Sequence, residues 1–201
     1  MKKVLLVLMI LVVAALGFVA TRPDTFHVER SASIAASSDS VFAKIDDFHH
    51  WASWSPWEKL DPQMVKTFEG PASGVGASYH WAGNNKAGEG RMTIIESDPG
   101  RKVAIKLEFL KPWKATNACV FTLTPEATGT RVTWTLDGNN DFMAKAMSAF
   151  MSMDKMVGGD FEKGLSSLKT LTEAEAEAEA APADTVVSGS GAGSLTPSST
   201  R

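Results

Sequence analysis

Few side chains in this chain of 201 residues stand where they could do chemistry. Asp154 is the first. It is the one charge near an otherwise apolar helical stripe, and a carboxyl turned into a dry cavity keeps its proton to higher pH and can exchange it with a bound molecule. At the edge of a stripe the commoner fate is a cation partner at the rim. Tyr79, an inward-facing phenol on a strand, is the second proton carrier. His49 and His50 beside Asp46 and Asp47 offer metal-ligand types, and Asp46 shares a helix face with the histidines. A metal needs further ligands, and the sequence signals no distant one, so this cluster reads as a polar helix end and no metal site is expected. Glu89 and Arg91 alternate with Met92 and Ile94 and read as outward partners. Gly88-x-Gly90 lacks the following helix that a phosphate loop needs. There is no nucleophile elbow or zinc-hydrolase helix, and no cofactor is indicated. Cys119 sits alone in the strand-like run Ala118 to Leu123, as a small buried apolar group would.

Binding is better supplied than catalysis. Phe48, Trp51, Trp54 and Trp57 fall within ten residues and are closed by Ser55-Pro56. Indoles bury well over ~150 Å² each, so they must cover either the open end of a sheet or a ligand. A mostly apolar cavity with a few polar tips suits a small molecule. The residues expected to line it are Trp54, Trp57, Tyr79, Trp81, Met92, Phe109, Trp113, Met147, Phe150 and Met151. A solid core built from the same rings is the alternative.

The positioning elements follow from periodicity. Between Asp141 and Thr172, apolar residues recur at spacings of three and four: Met143, Ala146, Met147, Phe150, Met153, Val157, Phe161, Leu165, Leu168 and Leu171. That predicts one long helix burying a single stripe, with Asp141 as its N-cap. Five of the nine methionines fall between Met143 and Met156, and unbranched thioethers pack against irregular or changing neighbours. Gly158-Gly159 would cost this helix very roughly 1 kcal/mol each relative to alanine, which a close approach to the sheet or a hinge would explain. Upstream the pattern is that of strands. Runs at Thr25–Ser33, Met64–Glu69, Ala77–Trp81, Gly90–Glu96, Val103–Phe109, Thr116–Thr124 and Thr130–Leu136 alternate apolar and polar, with turns such as Gly83-Asn84-Asn85 and Asp98-Pro99-Gly100 between them. A short helix capped by Ser37 or Ser38 follows the first. Seven antiparallel strands would curl, and the terminal helix is the one element long enough to cover the concave face.

At the N-terminus, Lys2 and Lys3 precede an uncharged run from Val4 to Ala20. It nearly matches a ~30 Å hydrocarbon core at ~1.5 Å per residue. The residues around Ala20 fit signal-peptidase cleavage poorly, which favours an uncleaved signal anchor over a secreted form. The lysines put the N-terminus inside, and the body periplasmic or extracytoplasmic in a bacterium. A net charge of −3 without a basic cluster argues against nucleic acid. The chain therefore divides into an anchor at 1–23, a body at 24–172, and at 173–201 a Glu/Ala helix extension and a disordered Ser/Gly/Thr tail. Oligomeric state leaves no mark.

Three sequence blocks carry a family likeness: Phe48-x-x-Trp51-x-x-Trp54-Ser55-Pro56-Trp57-Glu58 with Asp61-Pro62; Gly74-x-Gly76-Ala77-x-Tyr79-x-Trp81-x-Gly83-Asn84 with Gly88-Glu89-Gly90-x-Met92; and Asp154-Lys155-Met156-Val157-Gly158-x-Asp160-Phe161-x-x-Gly164-Leu165. In this order the chain resembles the START-like, polyketide cyclase/dehydrase superfamily from about Phe26 to Leu171. The resemblance implies an α+β helix-grip fold of the START/Bet v 1 type, a curved seven-stranded sheet wrapped on a long C-terminal helix. It further implies an apolar cavity between them that takes a hydrophobic small molecule or lipid. The enzymatic alternative, a cyclase or dehydratase on a polyketide-like substrate, would use Asp154 or Tyr79 for proton transfer; the resemblance brings no shared catalytic set.

Overall fold

A computed structural model describes residues 2–149 and 151–181. Helix α1 (Lys2–Ala20) is followed by strand β1 (Thr25–Ile34), helix α2 (Ser38–Asp46) and two 3-10 turns (Phe48–Ser53 and Pro56–Lys59). Six strands come next: β2 (Val65–Glu69), β3 (Ser78–Ala82), β4 (Glu89–Asp98), β5 (Lys102–Lys111), β6 (Ala115–Glu126) and β7 (Gly129–Asn139). Helices α3 (Phe142–Ser148) and α4 (Met153–Ala180) close the fold.

The seven strands form one sheet in the order β1-β7-β6-β5-β4-β3-β2, every neighbouring pair antiparallel. Alternation decides which face is which. On β7, Thr130, Val132, Trp134 and Leu136 are buried and the residues between them are not. Tyr79 and Trp81 on β3 and Met92 and Ile94 on β4 turn to the same inner face. The β6–β7 turn depends on Gly129, whose φ is +147° and whose missing Cβ would lie 2.0 Å from the Ile34 carbonyl oxygen. No other residue fits there.

Helix α4 lies across the inner face beside β1 and buries Phe161, Leu165, Leu168 and Thr172. Polar ties fix its line along β1: Lys169 Nζ donates to the Ser33 carbonyl at 2.7 Å, and the Ala35 amide donates to Glu173 at 2.7 Å. The adjacent glycines on α4 have separate explanations. A Cβ at Gly158 would meet the Arg30 guanidinium at 2.2 Å, whereas Gly159 faces open space. Further along, Gly164 lets the helix rest on Trp134, whose ring lies 2.8 Å from where its Cβ would be.

The single helix expected from Asp141 to Thr172 is two. Asp141 does cap the first, accepting from the Ala144 amide at 2.7 Å. A second cap, Ser152, accepts from the Lys155 amide and starts α4 afresh. Two competent caps on one apolar stretch give the backbone an alternative to continuing. Helix α3 is held by the α1 side of the molecule: Lys145 pairs with Asp24, and an Arg22 Nη donates to the Ser148 carbonyl at 3.4 Å. Helix α4 continues past Thr172 through the Glu/Ala repeat to Ala180. The tail expected to be disordered, from residue 182 on, lies outside the described residues. Helix α1 has a mean hydropathy of 2.8 and contributes no buried side chain, so the core is complete without it.

Candidate functional site

The space between α4 and the sheet is occupied by rings. Trp134 stacks on Phe161 with centroids 4.1 Å apart and planes 12° from parallel. Phe121 lies 4.7 Å from Trp134, Trp57 meets it edge-on at 5.5 Å, and Trp54 does so at 5.8 Å. The 3-10 turns put these indoles there: Trp51 and Trp54 share one side, and their Nε1 groups donate to the Ile45 and Lys44 carbonyls at 3.0 Å each. Trp51 and Trp54 thus bury their ring bodies and satisfy their one donor each.

Residues expected to line a pocket separate into three groups. Trp54, Tyr79, Trp81 and Met92 are buried in the core. Trp57 and Phe109 are half-buried against it. Trp113, Met147 and Met151 are exposed, at 71%, 48% and 53%. Phe150 lies outside the described residues. The structure therefore does not gather these side chains around one enclosed hollow under α4.

Apolar residues that the core covers only partly occur in several places, among them the end of the sheet where α4 begins. The Arg30–Asp154 pair sets the first turns of α4 beside β1, and Phe26, Leu107, Phe109, Met153 and Val157 pack only partly against the core. Asn117, buried at 9% exposure, lies on the inner face at this end, where Phe26 and Gly138 adjoin it, and Arg30, opposite Trp134, is a charged residue of the same face. An open depression of about 710 Å³ runs from this end over the outer face of the sheet past His27, Lys106 and Asp137. A smaller cleft of about 360 Å³ separates Ser53 from Ser166 and Thr170.

The proton-transfer candidates have definite partners. Tyr79 donates to Glu58 at 2.8 Å, and the other oxygen of that carboxylate pairs with Lys66. Burial and then the Glu58 charge push the phenol above its ordinary range, so at neutral pH it holds its proton and cannot act as a base. Asp154 is half exposed and paired with Arg30 at 2.7 Å, and Arg30 also binds Glu162 at 2.7 Å. The guanidinium hydrogen bond holds Asp154 below its usual range, opposite to a desolvated acid. Its contribution has a definite sign. The unfolded carboxylate takes up its proton first, so the pair adds stability at neutral pH and loses it as pH falls through the depressed folded value. Denaturation midpoints of the native protein and Asp154→Asn should therefore differ at pH 7 and converge on acidification. A constant gap would show that the Arg30 contact is not electrostatic.

The remaining groups turn apart from one another. His49 Nδ1 pairs with Asp47 at 2.6 Å, His50 with the Ala43 carbonyl, and Asp46 accepts from Ser97 at 2.7 Å. Glu89 faces outward to Lys111 at 2.5 Å, and Arg91 faces Glu69. The Cys119 thiol, pushed up to about 12 by burial, accepts from the Trp134 indole at 3.1 Å. Sequence reasoning passed over Glu58, Lys66 and Arg30. An acid inside the aromatic block was a signal for Glu58. Lys66 and Arg30 show themselves only through register, opposite Trp81 and Trp134.

No curated protein sequence matches the chain. Among solved structures it is similar to a protein of unknown function from Staphylococcus aureus (TM-score 0.59, 12% identity, 79% of this chain and 99% of that one). It is also similar to StfQ, the di-domain ARO/CYC of the steffimycin biosynthetic pathway (TM-score 0.57, 12% identity, 76% and 52%). A third likeness is to the Aha1 dimer from Colwellia psychrerythraea (TM-score 0.51, 18% identity, 74% and 96%). These identities establish a shared fold. The family model described as polyketide cyclase / dehydrase and lipid transport matches residues 25–173, from the first strand through the long helix. The chain belongs to that family, within the START-like superfamily.

Proposed function

We propose that this protein binds an apolar small molecule or lipid at the open end of its helix grip and holds or passes it beside a membrane that α1 enters. The family supports ligand binding or cyclase-type chemistry in general. The observation that favours binding, and this end of it, is the half-covered apolar surface around Leu107, Phe109, Met153 and Val157, beside a centre already filled by its own rings. Apolar walls with Asn117 among them and the Arg30–Asp154 pair at their edge suit a greasy guest with a polar tip. Methionines on α3 and at the start of α4 can repack around guests of different shape. In this reading residues 1–23 anchor the chain with Lys2 and Lys3 inside, and residues 24–172 form the binding body outside the membrane.

Nile red added to residues 24–181 should fluoresce with saturable, near-stoichiometric binding. Phe109→Asp, which puts a charge on the proposed wall, should weaken that binding at least about tenfold. Absence of binding, or equal binding by the Phe109→Asp protein, would contradict the proposed site.

A further inference from the structure

The end of the domain that α1 leaves carries apolar side chains that the fold does not use. Phe142, Met143, Met147 and Met151 in and after α3 are 55%, 62%, 48% and 53% exposed. Trp113, at the tip of the β5–β6 hairpin, is the most exposed residue among them at 71%. Lys111 and Lys114 flank it, and Lys86 lies on the neighbouring β3–β4 hairpin.

Two geometric constraints put these residues at one end of the sheet. Only Thr21 to Asp24 separate α1 from β1, and four residues reach at most ~14 Å. That reach is shortened further, because Arg22 and Asp24 are both bound to α3. Register supplies the second constraint. Phe26 pairs with Gly138 and Gly138 with Asn117, so the hairpin tip at Trp113 projects three residues beyond the start of β1 at Thr25, about 10 Å at ~3.3 Å per residue. Hairpin tip, α3 and the exit of α1 therefore lie at the same end of the sheet.

We infer that this end of the domain rests on the lipid surface, with Trp113 and the methionines of α3 in the headgroup region and Lys86, Lys111 and Lys114 against anionic headgroups. An indole flanked by lysines is the side-chain set that settles at a bilayer interface. The half-covered apolar surface around Leu107 and Phe109 then faces lipid, and an apolar guest moves between bilayer and grip without crossing water. This inference rests on α1 being the membrane span.

The test uses the full chain in bilayers of phosphatidylethanolamine and phosphatidylglycerol. A nitroxide is placed at Trp113→Cys, and a reference nitroxide at Thr128→Cys in the opposite β6–β7 turn. Both sites are exposed, so neither change touches the core, and the buried Cys119 does not compete for label. Relaxation by oxygen relative to a water-soluble nickel chelate should be several-fold higher at 113 than at 128. Lys111→Glu with Lys114→Glu should reduce that ratio, and less so when phosphatidylcholine replaces phosphatidylglycerol. A water-like signal at 113 in a chain that resists carbonate extraction overturns the docking and leaves the anchor and the binding reading standing. A label shielded from both reagents overturns it in favour of a protein partner. Release of the chain by carbonate overturns the anchor and the docking together.

Discussion

Trp134→Ala is expected to lower the unfolding free energy of residues 24–181 by about 3–5 kcal/mol, a large part of the ~5–15 kcal/mol that a domain commonly has. Trp134 is 1% exposed and touches Phe121, Phe161, Trp54 and Trp57, which come from a strand, the long helix, the end of the first 3-10 turn and the second 3-10 turn. Its loss opens a cavity where those elements meet, and the indole hydrogen bond to Cys119 goes with it. Trp134→Phe should cost clearly less, because a ring still fills most of the space. Gly164 supplies a check of different sign. Gly164→Leu alone drives a side chain into Trp134 and Pro56 and should destabilise by about 1–3 kcal/mol. In the Trp134→Ala background the same leucine fills the cavity and should recover part of the loss. Denaturant midpoints of the four proteins measure it. Simple additivity would mean that α4 and β7 do not meet through these residues.

Glu58→Ala should cost about 2 kcal/mol, because it leaves the Tyr79 hydroxyl buried without an acceptor and strips Lys66 of its partner. Lys66 is 30% exposed on its side chain and can turn to water, which keeps the figure below that of a fully buried pair. Glu58→Gln retains an acceptor for Tyr79 and should cost less. The chain has a single tyrosine, so ultraviolet titration reports this phenol alone. Native Tyr79 should ionise only above the ordinary phenol value of ~10, and Glu58→Ala should bring the transition down. The sign follows from linkage. An acid whose folded pKa is raised adds stability below its unfolded pKa and loses it as pH rises beyond, because the unfolded state releases the proton first. A phenol titrating normally in the native protein would mean that Tyr79 is open to solvent.

Strands were legible in the sequence because period-two alternation is a local property. β7 shows it cleanly, β5 shows it in residue type although Ala104 is buried on the other face, and their registers follow once short turns fix the hairpins. Caps were legible for the same reason: Ser37 and Asp141 both accept from the amide three residues on. The division of the terminal helix was not, since Met143 and Met147 continue the same apolar spacing that Phe161 and Leu165 obey. Composition does not say whether a methionine faces a sheet or solvent; the attachment of α3 to Arg22 and Asp24 decides it. The aromatic block likewise announced burial without saying whether its rings would ring a hollow or fill it. That depends on the close approach of Gly164 to Trp134, a contact between residues 30 apart in sequence. The Glu58–Lys66 and Arg30–Asp154 pairs depend on tertiary approach in the same way.

The central claim, a greasy guest held where α4 begins and not under its middle, has a direct readout in methyl NMR of residues 24–181 titrated with oleate. The predicted result is saturable shift changes at Leu107, Leu136 and Val157, with Val132, Ile105 and Leu168 unmoved. Shifts centred on Val132 and Leu168, or none at any methyl, would contradict it.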